Sequence, residues 1–165
     1  MKSKKFTLGL LICYLAALTW IIIFKFQFSI SGLPRFRNIN LIPFAASVIV
    51  NGTIDFSEII QNLLVFVPYG LFLHVLWEEK PILRQFLPIL CTSLLFETVQ
   101  FIFAIGATDI TDIITNSAGG FLGIVFAIGL SKISNRHWIK IINLVSLTGA
   151  VLLIVLMVIL SLANL

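Results

Sequence analysis

The sequence predicts an all-α protein: a polytopic helical membrane bundle of about five transmembrane helices in a single domain over residues 1–165. Three observations carry this. Hydrophobic residues make up 59% of the chain and charged residues only 11%, too few polar side chains to cover a soluble domain of this length. Mean hydropathy is +1.12. Apolar stretches of about 18 residues or more recur along the chain, the length that crosses a bilayer as a helix.

The first span covers about residues 6–24, with Lys25 placed to snorkel to the boundary. The basic residues Lys2, Lys4 and Lys5 resemble the head of a signal peptide. The apolar run is too long for one and lacks a small-residue cleavage site, so it is read as an uncleaved anchor. Residues 29–58 form the longest polar connection. Within it, Leu41 to Val50 is apolar but too short to span and contains Pro43, which predicts an interfacial or folded-back segment. Asn51-Gly52 signals a turn, and Asp55 or Ser57 is placed to cap the second span, about 59–77, which Pro68 and Gly70 should kink. Glu78 to Pro81 breaks it. The third span is about 82–105, the fourth about 112–130 and the fifth about 139–162.

Charge orients the bundle. With a cytoplasmic N-terminus, Lys2, Lys4, Lys5, Lys80, Arg84, Lys132, Arg136 and Lys140 lie inside, while Lys25, Arg35 and Arg37 lie outside. That asymmetry is the one the positive-inside rule expects. The formal charge of +4 is then explained by short patches beside the spans, not by nucleic acid, for which no motif is present. Cys13 and Cys91 read as packing residues, and neither His74 nor His137 has a companion at metal-ligand spacing. No cofactor or transition-metal site is predicted, and no serine–histidine or phosphate-loop motif occurs.

The residues that carry chemistry gather at the outer end: Arg35, Arg37, Asn40, Asn62, Glu97, Gln100, Asp109, Asp112 and Asn116. Ionisable side chains within spans are costly and mark functional sites by default. Asp109, Asp112 and Asn116 are spaced to share a helix face, and Thr108 or Asp109 also suits an N-cap, with Asp112 beside the first-turn amides. Glu97 should be protonated or paired with Lys25, Arg35 or Arg37. Its structural alternative is an interhelical hydrogen bond. The arginines can fork onto an anionic headgroup or neutralise the acidic groups. Gly119 and Gly123 form a GxxxG seam.

Three segments resemble the VanZ-like membrane protein family: Asn40 to Phe44 with Pro43, Asn62 to Gly70 with Pro68 and Tyr69, and Phe96 to Gly123. Gln100 to Asp112 is the most specific of these, and the opening span with Trp20 is similar too. The likeness covers about residues 6–130. It implies a bacterial plasma-membrane protein giving low-level resistance to teicoplanin, a lipid-tailed glycopeptide, and not to vancomycin. Many members carry an arginine just before the DxxD segment. Here Ala107-Thr108 stands there, so a basic group must come from Arg35 or Arg37. The expected partners are a membrane lipid, a lipid-linked cell-wall precursor or teicoplanin itself, with a homo-oligomer also open. The leading reading is a non-enzymatic binder. The alternatives are an intramembrane enzyme acting on a polyprenyl-phosphate lipid, with Glu97 as acid/base and Asp109 and Asp112 holding a divalent cation, and a small lipid transporter.

Overall fold

The computed structural model describes residues 4–24, 36–44, 49–50, 53–54, 56–134 and 137–163. Five helices dominate it: α1 (Lys4–Phe24), α2 (Ser57–Trp77), α3 (Ile82–Phe103), α4 (Ile110–Ser134) and α5 (Trp138–Ala163). The first four are long and apolar enough to cross a membrane, and α5 runs for 26 residues. The predicted all-α membrane bundle is the observed architecture. Lys25, Arg35, the Asn51-Gly52 turn and Asp55 lie outside the described residues.

Two small strand pairs are additions the sequence did not announce. Strand β1 (Phe36–Asn40) pairs in parallel with β4 (Ile105–Asp109), and β2 (Ile49–Val50) pairs antiparallel with β3 (Thr53–Ile54). The third span therefore stops at Phe103 and not at residue 105. Ala104 adopts the left-handed conformation (φ 54°, ψ 41°), and its backbone N–H closes on the carbonyls of Gln100 and Phe101. The chain then leaves as a strand that leads straight into α4. Helix α2 begins without a side-chain cap: Phe56 holds that place, and Ser57 is already helical. Extended backbone at this depth survives because β1 and β4 satisfy each other.

The tightest packing joins α2 to α4, and glycine makes it. A methyl group at Gly119 would lie 2.0 Å from the Leu63 carbonyl oxygen, and one at Gly123 2.0 Å from that of Val67. From the other side, a methyl at Gly70 would lie 1.9 Å from the Gly120 carbonyl oxygen. The GxxxG seam is thus a backbone-to-backbone contact between α2 and α4. Around it, Phe66, Phe72, Leu18, Ile89 and Ile124 are fully buried. In the turn before Pro68, the Val65 carbonyl accepts the Tyr14 hydroxyl from α1, which ties the two helices together. At the opposite end Gln85 bridges the α2–α3 turn. Its Nε2 donates to the Trp77 and Lys80 carbonyls at 3.1 and 2.8 Å, and its Oε1 lies 2.9 Å from His74 Nδ1.

Candidate functional site

The junction of β4 and α4 organises the polar end of the bundle. Asp109 is the last residue of β4, and α4 starts at Ile110. One carboxylate oxygen, Oδ1, accepts the Thr111 backbone N–H at 2.7 Å, the bond an N-cap aspartate makes to an orphan first-turn amide. The other, Oδ2, accepts from Asn40 Nδ2 at 2.9 Å. Asp109 is therefore a cap that also ties β1 to β4, whose register places Asn40 opposite it. Sequence spacing suggested one shared face for Asp109, Asp112 and Asn116. The structure separates them, because Asp109 precedes the helix and the other two turn to different neighbours.

The segment after β1 docks on the same helix start. Asn40 Oδ1 accepts the Ile42 backbone N–H at 3.2 Å, forming a tight side-chain-to-backbone turn. Phe44, with φ at 63°, donates its N–H to Thr111 Oγ1 at 3.0 Å. The Asn40–Phe44 motif is thus a folded-back clamp that begins at the Asp109 carboxylate and ends at Thr111.

Glu97 is buried on α3, 3% exposed, and its Oε2 accepts the Asp109 backbone N–H at 2.9 Å. Its own backbone carbonyl accepts the Thr108 hydroxyl at 3.3 Å. The carboxylate therefore anchors the β4–α4 corner through backbone. Arg37 does not reach it. Arg37 caps the far end of α3, donating from Nε to the Phe101 carbonyl (3.0 Å) and from Nη2 to that of Ile102 (2.9 Å), with its guanidinium 5.5 Å from the Phe101 ring centroid. Two carbonyls of a helix's last turn facing a cation make a favourable pairing. Arg35 falls outside the described residues, so its expected place beside the acidic groups is not described either.

Asn62, Gln100 and Asp112 converge on one cleft of about 390 Å³ between α1, α2, α3 and α4, with Glu58 and Gln61 on its rim and Ile21, Ile22 and Val65 as its apolar wall. Asn62 Nδ2 donates to Asp112 Oδ1 at 2.8 Å, so the carboxamide of α2 holds the carboxylate of α4 at the end of the glycine seam. Gln100 Nε2 donates to the Ile22 carbonyl at 3.2 Å, serving one of the last carbonyls of α1. Gln100 Oε1 is buried with no hydrogen-bond partner among the described residues.

Asn116 lies a turn deeper and fully buried, bonded through Nδ2 to Ser93 Oγ at 3.0 Å, with Oδ1 unpartnered among the described residues. It faces α3, as does Gly120 against Ile89, whereas Asp112, Gly119 and Gly123 face α2. Asn116 apart, the expected site residues that are described sort into two groups. Asn62, Gln100 and Asp112 line the cleft, while Arg37, Asn40, Glu97 and Asp109 build the corner behind it.

Sequence reasoning missed Glu58, Gln61 and Thr111. A usable signal existed for the first two, a charged and an amide residue spaced i, i+3 at the mouth of a span. Thr111 carried none, because its role depends on a loop distant in sequence. Among the described residues no three histidine, cysteine, aspartate or glutamate side chains are grouped as metal ligands would be.

The chain is 43% identical over 160 residues to Protein VanZ of Enterococcus faecium, an alignment covering 94% of this chain and 93% of that protein. No solved structure matches it. The family model described as VanZ/LLP1 matches residues 11–134, a stretch that takes in both the cleft and the capped corner behind it. On both findings, the chain belongs to the VanZ/LLP1 family.

Proposed function

We propose that this protein confers low-level resistance to teicoplanin, and not to vancomycin, from the bacterial plasma membrane, and that its cleft binds a lipid-linked or lipid-tailed ligand. The observation that carries the reading is the convergence of Asn62, Gln100 and Asp112, from three different helices, on one cleft. Polar side chains inside a membrane bundle are expensive, and a cleft lined by them is where a polar headgroup gains hydrogen bonds. Distribution of the basic residues turns this end outward, toward the cell wall. Occupation of the cleft there lowers productive drug binding at the surface, with no bond made or broken.

The reading is tested by expressing the chain in a sensitive Gram-positive host and measuring teicoplanin and vancomycin susceptibility, beside Asp112→Asn and Glu97→Gln at matched membrane levels. The expected result is a rise in teicoplanin tolerance alone, lost or sharply reduced in both variants. Unchanged teicoplanin susceptibility with normal expression of the parent chain overturns it.

A further inference from the structure

The polar cleft has a second cavity as its neighbour. Ile21 of α1 lines it and also lines a second, larger crevice of about 540 Å³ between α1, α2 and α5. That crevice is almost wholly apolar, with Trp20, Phe72 and Pro68 on one side and Gly149 and Ala150 on the other. Along α1 it reaches from Ile21 to Leu10, about 16 Å at 1.5 Å per residue. Half of a hydrocarbon core about 30 Å thick is close to that length, so the crevice matches one acyl chain in length.

The polar end adds a chemical demand. Gln100 is 3% exposed and lines the cleft, and its Oε1 has no donor among the described residues. A buried acceptor left unpaired is costly, and a ligand that supplies an N–H or O–H relieves it. We infer that the cleft and the crevice form one amphiphile site, holding a membrane lipid whose head donates a hydrogen bond to Gln100 while one acyl chain lies between α1, α2 and α5. The inference rests on the reading of the cleft as a ligand site and adds the class of ligand. A hydroxylated head and a primary ammonium head share the donor chemistry.

The test uses Trp20 as a reporter in the full chain, with Trp77→Phe and Trp138→Phe removing the other tryptophans and a thermal midpoint confirming the fold. The protein is placed in nanodiscs of unlabelled choline-headed lipid. Lipids with brominated chains are then titrated in at low mole fraction, carrying a glycosyl, an ethanolamine or a choline head. At least one donor-bearing head should quench Trp20 at a mole fraction about fivefold lower than choline, the discrimination one hydrogen bond provides. Preference for glycosyl identifies a hydroxyl donor, and preference for ethanolamine an ammonium. Gln100→Met should erase the preference among heads. Gly149→Leu, at a position where an added Cβ meets nothing within 4 Å, should fill the crevice and abolish enrichment of all of them. Equal quenching by the three heads, or unaltered enrichment in Gly149→Leu, overturns the inference. If resistance depends on Asp112 while the heads quench equally, the resistance reading survives and this inference alone fails. Selective quenching with Asp112-independent resistance gives the reverse.

Discussion

Replacing Gly123 by alanine perturbs the contact on which the cleft depends. The added Cβ would stand 2.0 Å from the Val67 carbonyl oxygen and 3.0 Å from the Leu71 nitrogen, both backbone atoms of α2 that no rotamer change can move. Relief requires α2 and α4 to separate by about 1 Å, and core overpacking of this kind costs about 1–3 kcal/mol. The same shift would stretch the 2.8 Å bond from Asn62 to Asp112 beyond hydrogen-bonding range, adding about 1 kcal/mol for an interhelical bond within a membrane. The sum, about 2–4 kcal/mol, corresponds to a fall in Tm of about 5–15 °C for a chain of this size. Thermal unfolding of the detergent-solubilised protein, followed by loss of the monodisperse species, measures it. Gly129→Ala and Gly149→Ala are internal controls, since an added Cβ at either meets nothing within 4 Å. Both should be neutral or slightly stabilising, because alanine restricts the unfolded chain. Gly120→Ala should fall between, because its neighbour is the Ile89 side chain, which can give way. A Gly123→Ala protein that melts within a degree of the parent would refute the reasoning.

Three further outcomes follow from the site's local chemistry. Ala104 occupies the left-handed region at the α3 C-cap, so Ala104→Gly should raise stability by about 1 kcal/mol, read as a higher thermal midpoint. Arg37→Ala removes two hydrogen bonds to the last carbonyls of α3. Faster hydrogen exchange at Ala104 to Asp109 is expected, with exchange in α5 unchanged. Ser93→Ala strips the fully buried Asn116 of its Nδ2 partner and should destabilise by about 1–3 kcal/mol, whereas Ser93→Thr, which keeps the hydroxyl, should recover most of the loss.

Most of the helical framework was legible from hydropathy because a membrane imposes it: a span must be apolar, long and internally hydrogen-bonded. The glycine seam was legible as a period of four, and the cost of polar groups in lipid drew attention to Asn62, Glu97, Gln100 and Asp112 before any geometry was known. The strand pairing was not legible. Ile105 to Asp109 reads locally as the frayed end of a span or the start of the next, and becomes a strand only because residues 36–40 lie beside it. The Asn40 clamp was equally hidden, since its partners Asp109 and Thr111 are about seventy residues away.

Composition and periodicity by themselves determined that this chain is a membrane bundle, where its helices lie and which side chains are too costly to be ornamental, because each of these follows from transfer out of water summed over neighbouring residues. The tertiary structure alone decided what those side chains do. It made Asp109 a cap and Arg37 a clasp on α3, and it set Glu97 to hold a backbone corner. It left Asn62, Gln100 and Asp112 to line a cleft that shares Ile21 with a neighbouring apolar crevice. Hydrogen bonding is short-ranged and directional, so its partners are set by which helices meet, and that meeting is fixed by contacts between residues remote in sequence.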